Sequence, residues 1–175
     1  MAGYEFSVQS PDIDEVRLPD EPPEDFVVRM AREKAAAVVG TVQAGSCVLG
    51  FDTCVVLEGR IYGKPEDEAE AAEMLLSLAG RTHTVYTGYC LAIADSEDTE
   101  AGIDASRVTM RKVNDAEAQA YAESGEPLDK AGGYALQGAG RGFVDHVDGL
   151  RSTVIGMPLE HVVDLLTRRG IMPTR

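Results

Sequence analysis

Apolar side chains recur with helical spacing in four segments of the chain. The first helix is predicted to begin at Pro22-Pro23-Glu24-Asp25, since proline and acidic residues favour a first helical turn, and to end at Gly40. Lys34 lies one turn from Met30, and therefore on or beside the buried face of this helix. The other three helices are predicted at Glu66–Leu78, Asn114–Ser124 and Pro158–Arg169.

Runs rich in β-branched and aromatic residues predict the strands. The run Cys47–Leu57 is followed by Glu58-Gly59, which is typical of a hairpin turn into Arg60–Tyr62. The polar, acidic segment Asp95–Asp104 is predicted to be a loop. Interleaved helices and strands indicate an α/β fold with a mixed β-sheet flanked by helices, as a single domain over residues 1–175. The remaining strands are predicted at Tyr4–Val8, Thr82–Ala94, Ser106–Val113 and Phe143–Val147.

One segment, Gly125–Gly138, fits neither a helix nor a strand. It contains several glycines and a proline, which are costly inside regular elements. It also holds apolar side chains that a disordered linker would not usually carry. We therefore predict a rigid, shaped loop that presents Asp129, Lys130 and Gln137 at fixed places, as functional loops do.

The chain is strongly acidic, with 30 acidic and 16 basic residues and a net charge of −14. This balance argues against general binding of nucleic acid or of anionic membranes, which requires a basic surface. A polyanionic ligand must instead meet a local positive pocket or a metal ion. No apolar run reaches the length of a membrane span. The three cysteines lie in apolar stretches, which indicates buried reduced thiols and a cytoplasmic location.

Two positions stand out chemically. Asp52 interrupts an apolar run, where a carboxylate is costly unless it is paired, hydrogen-bonded or bound to metal; the alternative is an Asp that caps a strand end. Lys64 is framed by Gly63 and Pro65, which restrict where its ammonium points. Glu15 ends an acidic run that is by itself typical of a solvated loop.

Six segments in series carry a resemblance that no single one of them would support. In this order and spacing the chain, from about Ser7 to Leu166, resembles the Maf family of nucleoside triphosphate pyrophosphatases. The resemblance implies two lobes around a central cleft and a homodimer. The segments are Pro11–Glu15, Arg32–Ala35, Gly50–Thr53, Gly63–Pro65, Gly125–Gly138 and Gly156–Leu159.

The chain departs from the family pattern at its start. Family members begin with a strand, a Ser-x-Ser-x-Arg-Arg loop and a helix, and no counterpart of these precedes the segment Tyr4–Val8. We therefore expect a Maf-like domain that lacks these elements. The alternative to an active enzyme is a catalytically impaired member with a nucleotide-binding or cell-division regulatory role.

The resemblance also implies the chemistry. Water attacks the α-phosphorus of a nucleoside triphosphate and releases pyrophosphate, with Asp52 as the acid–base residue and Lys64 as a second catalytic group. Glu15 and Asp52 are expected to hold a divalent cation, Mg²⁺ or Mn²⁺, because such ions prefer oxygen ligands and the phosphates of the substrate. Lys34, Asp129 and Lys130 are expected near the phosphates.

Two positions divide the family by substrate. Members that act on dTTP and UTP carry Asp-Thr and a late Gln-Gly, as this chain does at Asp52-Thr53 and Gln137-Gly138. A glutamine amide both donates and accepts hydrogen bonds, which suits the edge of uracil or thymine. Thr53 and Gln137 are therefore expected to bind a pyrimidine base.

Overall fold

The computed structural model describes residues 3–174, which form one antiparallel sheet with helices on both faces. The order of the strands across the sheet is β2-β1-β3-β4-β5, and every pairing between neighbours is antiparallel. The strands are β1 (Cys47–Leu57), β2 (Arg60–Tyr62), β3 (Thr82–Ile93), β4 (Thr99–Met110) and β5 (Val144–Asp148). The helices are α1 (Pro23–Val39), α2 (Glu68–Leu78), α3 (Asp115–Ala122), α4 (Arg151–Ile155) and α5 (Leu159–Arg168).

Helix α1 lies against β1 and β3 at backbone contact, because glycine occupies the points of closest approach. A Cβ atom added to Gly50 would lie 2.2 Å from the carbonyl oxygen of Ala31. One added to Gly88 would lie 2.2 Å from the carbonyl oxygen of Val27. Gly88 pairs directly with Asp52 across the two strands, so the close packing of α1 occurs beside this carboxylate.

The opposite face of the sheet carries the largest part of the core. There α2, α3 and the two 3₁₀ turns Ala131–Gly133 and Gly138–Phe143 cover the apolar side chains of the central strands. Helix α5 covers the other end of that face, and its buried Leu165 packs with Leu91 of β3. None of the helices within residues 3–174 is long and apolar enough to cross a membrane.

Strand β1 is only partly paired on its outer side. The short strand β2 pairs with Val55–Leu57, through the hairpin at Glu58-Gly59 that the sequence predicts. Among residues 3–174, no strand pairs with the stretch of β1 from Cys47 to Cys54 along that edge. Asp52 and Thr53 therefore lie where one edge of the sheet is open.

Most of the predicted elements are confirmed, with ends that shift by one to three residues. The α/β class with flanking helices is confirmed, although the sheet is antiparallel rather than mixed. The run Cys47–Leu57 forms a strand with the predicted ends. Asn114 caps α3 through a capping box with Glu117, in which each side chain accepts a hydrogen bond from the backbone N–H of the other residue.

Two predictions are wrong, and one element was missed. Tyr4–Val8 forms no strand: Tyr4 packs beside α5, while Phe6 and Val8 are 77% and 85% exposed. Asp95–Asp104 is not wholly a loop, because β4 already begins at Thr99. The five-residue helix α4 is too short to produce a recognisable apolar period.

Candidate active site

A cavity of about 430 Å³ opens at the free edge of β1, between α1 and the loop that precedes β5. One wall is formed by β1, α1 and the segment that carries Glu15; the other is formed by the Gly63–Lys64 turn and the Gly125–Gly138 loop. Every site residue predicted from the sequence lines this cavity, although these residues span more than 120 positions of the chain. They are Glu15, Lys34, Asp52, Thr53, Lys64, Asp129, Lys130 and Gln137.

The centre of the first wall is an ammonium shared by two carboxylates. Lys34 Nζ lies 2.6 Å from Asp52 Oδ1 and 2.9 Å from Glu15 Oε1. Asp52 is only 8% exposed, whereas the Glu15 side chain is nearly half exposed. The helix position of Lys34, beside the buried face of α1, is what delivers its ammonium to β1. This buried carboxylate is therefore paired, as its cost in an apolar strand requires.

Burial and pairing act in opposite directions on this pair. Burial raises the pKa of the Asp52 carboxyl above its ordinary value, and the hydrogen bond from Lys34 offsets only part of that rise. Burial lowers the pKa of Lys34, but its hydrogen bonds with Asp52 and Glu15 outweigh burial and raise that pKa above its ordinary value. At neutral pH the site thus holds a charged lysine beside a carboxylate that takes up protons more readily than a free aspartate.

The second wall depends on one glycine with a left-handed backbone conformation. Gly132 has φ +74°, and its N–H donates to the carbonyl of Gly63 over 2.9 Å, which joins the loop to the turn that carries Lys64. A Cβ atom at Gly132 would lie 2.9 Å from a methyl carbon of Val55, so only glycine fits there. On the same loop the exposed Asp129 and Lys130 pair with each other.

Glu126 and Tyr121 position this loop, and the sequence reasoning missed both. The Glu126 carboxylate accepts hydrogen bonds from the backbone N–H groups of Ala139 and Gly140 and from the Tyr121 hydroxyl, each over 3.0 Å. The hydrogen bonds from Gly140 and its neighbours lower the pKa of Glu126. The hydroxyl of Tyr121 also accepts from the N–H of Ala135. The only sequence signal for this contact was a carboxylate, Glu126, followed twelve and fourteen positions later by glycines.

The segment that carries Glu15 is held against α1 by Arg29. Arg29 donates to both oxygens of the Glu21 carboxylate and to the carbonyl of Val16. The hydrogen bond from Arg29 lowers the pKa of Glu21 to about 2. No local sequence pattern distinguishes this arginine, which docks a loop, from an arginine on a solvated helix face.

The carboxylates of the cavity suit a cation bound together with a substrate. No group of three or more His, Cys, Asp or Glu side chains within residues 3–174 is arranged to hold a metal ion by itself. Glu15 and Asp52 nevertheless converge on one positive charge, that of Lys34. A Mg²⁺ ion commonly takes one or two protein carboxylates and completes its shell with waters and phosphate oxygens. The two carboxylates fit that pattern.

The histidines and cysteines take no part in this arrangement of carboxylates and lysines. Among residues 3–174 neither residue type supplies a nucleophile–base pair to the cavity, since Cys54 is the only member of either type that lines it. Burial raises the pKa of Cys54 to about 12, which keeps its thiol protonated. The chemistry available to the cavity is therefore that of carboxylates and ammonium groups: activation of water and neutralisation of an anion.

Comparison with known proteins gives a consistent result. The family model described as "Maf-like protein" matches residues 1–169. A protein named "dTTP/UTP pyrophosphatase" from Anaeromyxobacter dehalogenans (strain 2CP-C) is 46% identical over 171 residues, which cover 96% of this chain and 85% of the relative.

Two further relatives carry the same name. The protein from Myxococcus xanthus (strain DK1622) is 47% identical over 166 residues, covering 95% of this chain and 83% of the relative. The protein from Shewanella sp. (strain MR-7) is 44% identical over 172 residues, covering 97% of this chain and 88% of the relative.

Proposed function

The chain belongs to the Maf family, and on that premise we propose that it hydrolyses dTTP and UTP to the nucleoside monophosphate and pyrophosphate. The observation that carries the proposal is the buried Asp52, with its raised pKa, in a cavity that three lysines also line. The relatives named dTTP/UTP pyrophosphatase align over nearly the whole chain. A polyanionic substrate needs such a local concentration of positive charge in a chain of net charge −14.

In the proposed reaction, Asp52 accepts a proton from the attacking water. The water oxygen forms a bond to the α-phosphorus, the bond from this phosphorus to the bridging oxygen breaks, and pyrophosphate leaves. Lys34 keeps Asp52 oriented through its 2.6 Å hydrogen bond. Lys64 and Lys130, from the opposite wall, offset the charge that develops on the phosphate oxygens.

We also propose that Glu15 and Asp52 hold a divalent cation, Mg²⁺ or Mn²⁺, together with the phosphates. When bound, the cation neutralises phosphate charge as a Lewis acid. The remaining contacts in the proposal concern the base: Thr53 and Gln137 line the same cavity and read the pyrimidine, while Asp129 orients Lys130 through their ion pair.

The cellular setting completes the proposal. Three free cysteines, two of them buried, suit a reducing compartment, and we propose that the protein acts in the cytoplasm as a homodimer. The substrate is a free nucleotide rather than a nucleic acid, in keeping with the acidic surface. Sedimentation equilibrium tests the homodimer, which a concentration-independent mass of 18.7 kDa would rule out.

The proposal is tested by measuring pyrophosphate release from UTP and dTTP with Mg²⁺ or Mn²⁺. Wild type is expected to turn both over, while Asp52→Asn retains nucleotide binding but loses hydrolysis by at least about 10²-fold, because the amide cannot accept the proton. The matched control is Asp95→Asn, an exposed position away from the cavity with φ +59°, a conformation that asparagine tolerates.

Two outcomes contradict the proposal. Turnover of Asp52→Asn at the wild-type rate removes the role of Asp52. Tight binding of UTP by folded wild-type protein without pyrophosphate release favours the alternative, a nucleotide-binding member of the family without catalysis.

A further inference from the structure

Three side chains form a row across the sheet directly behind the cavity. Thr53 on β1 pairs with Thr87 on β3, and Thr87 pairs with Asp104 on β4. Thr53 lines the cavity, whereas Thr87 is 0% exposed and touches no ligand space. Helix α4 covers the row, because Thr153 hydrogen-bonds to both Thr87 and Asp104.

The hydrogen-bond direction in this row is determined by chemistry. The Thr87 hydroxyl lies 2.8 Å from the backbone carbonyl of Thr153, and a carbonyl can only accept, so Thr87 donates its single hydrogen there. Thr53 Oγ1 lies 2.9 Å from Thr87 Oγ1. Since the hydrogen of Thr87 is already used, the Thr53 hydroxyl must be the donor between these two oxygens.

This direction leaves Thr53 with no hydrogen for a ligand. A threonine hydroxyl has one hydrogen and two lone pairs, so only lone pairs remain on the cavity side of Thr53. Space is kept free beside the Thr53 oxygen by Gly156, where an added Cβ atom would lie 3.3 Å from Thr53 Oγ1. An ordinary threonine can either donate or accept; here Thr53 is confined to accepting.

We propose that Thr87 is a positioning residue that makes Thr53 an obligate acceptor, so that this point of the cavity selects a nucleotide N–H or O–H donor. The proposal rests on the proposed nucleotide substrate. On the proposed function the donor is the N3–H of the pyrimidine base, and a hydroxyl of the sugar is the alternative that the analogues below distinguish. Thr87 is fully buried on the strand beside Thr53, so it acts on the nucleotide through Thr53 and not by direct contact.

The test is a cycle between variants and substrate analogues, read as kcat/KM. Thr87→Val keeps the shape but removes the acceptor for Thr53, whose hydroxyl can then rotate. With UTP we expect about a fivefold loss, because the freed hydroxyl can still accept but is no longer held in the accepting orientation. Thr87→Ser restores the hydroxyl and is expected to stay within about twofold of wild type.

Three analogues each remove one donor from the nucleotide. They are the triphosphate of pyrimidin-2-one riboside, which has no N3–H, 2′-deoxy-UTP and 3′-deoxy-UTP. One analogue lacks the donor group that bonds to Thr53. For that analogue, wild type and Thr87→Val are expected to have equal kcat/KM, while the other two analogues keep the ratio of kcat/KM seen with UTP. The analogue that removes the difference in kcat/KM between wild type and Thr87→Val identifies the donor.

Ser106→Ala is the matched control for loosening of α4. Ser106 Oγ donates to the carbonyl of Leu150 over 2.9 Å, a bond of the same kind to the start of the same helix, but it does not contact Thr53. Its effect is expected to be the same for UTP and all three analogues. A Thr87→Val effect that is equally uniform, or a Thr87→Ser variant as impaired as Thr87→Val, would overturn the proposal.

The role of Thr87 can be tested separately from the proposed hydrolysis. If wild type releases no pyrophosphate from UTP, the cycle is measured on dissociation constants by calorimetry in the Asp52→Asn background. If the effect of Thr87→Val on the dissociation constant disappears for one analogue, the role of Thr87 is supported. If that effect is the same for UTP and all three analogues, the role is refuted.

Discussion

Substitution of Gly50 by alanine tests how the fold builds the site. The added Cβ atom would lie 2.2 Å from the carbonyl oxygen of Ala31 and 2.9 Å from the backbone nitrogen of Ala35. A carbon–oxygen contact needs about 3.3 Å, so α1 must move away from β1 by about 1 Å. Both obstacles are backbone atoms of a helix, which cannot yield by changing a rotamer.

The displaced turn of α1 is the one that carries Lys34. In the wild-type protein, Lys34 Nζ lies 2.6 Å from Asp52 Oδ1. A displacement of about 1 Å takes these two atoms out of hydrogen-bonding range. Loss of orientation on this scale costs on the order of 10²-fold in turnover. Overpacking adds a loss of about 2 kcal/mol in the free energy of unfolding, or roughly 4–8 °C in Tm.

The assay combines a thermal melt with kcat/KM for UTP. Gly40→Ala is the matched control, because Gly40 lies at the end of the same helix, with φ −77° and nothing within 4 Å of an added Cβ atom. That variant is expected to behave as wild type. A Gly50→Ala protein with wild-type Tm and activity would refute the argument that glycine contacts set the Lys34–Asp52 distance.

Two further predictions follow from the electrostatics and the loop. Because burial raises the pKa of Asp52 and the base must be ionised, kcat/KM should fall on the acid side at a pH above that of an ordinary aspartate. Lys34→Gln removes the positive charge that opposes this rise, so it should move the acid limb to higher pH, which a pH–rate profile measures. Glu126→Gln should raise KM for UTP and lower stability by about 1–3 kcal/mol in a melt at neutral pH, whereas the exposed Glu123→Gln should do neither. Since the pKa of Glu126 is lowered in the fold, its contribution is present above the ordinary glutamate pKa and lost as pH falls, so the difference between Glu126→Gln and wild type should shrink in acid.

Local sequence patterns were sufficient where an element's stability is also local. Helix α1 has its prolines and acids at the start and a glycine at the end, and it forms as predicted. The alternating pattern of Tyr4–Val8 was misleading, because a strand also needs a partner, and none pairs with it within residues 3–174. The start of β4 was missed because its acidic residues suggested a loop, whereas Glu100 pairs with Arg168 and Arg169 near α5.

The site shows the same division between local and long-range information. The pairing of Lys34 with Asp52 depends on the glycine contacts of α1, which no local pattern reveals. The eight predicted site residues come from five separate segments of the chain, and only the family resemblance grouped them in advance. Thr87 gave no signal, because a buried threonine in a strand is ordinary until its hydrogen-bond direction is known.

The most direct test of the central claim is hydrolysis of UTP in H₂¹⁸O, with mass spectrometry of both products. Attack of water on the α-phosphorus, beside Asp52, places the label in UMP and leaves pyrophosphate unlabelled. Label in pyrophosphate would show attack at the β-phosphorus, and release of UDP with labelled phosphate would show a different hydrolase; either result would contradict the account.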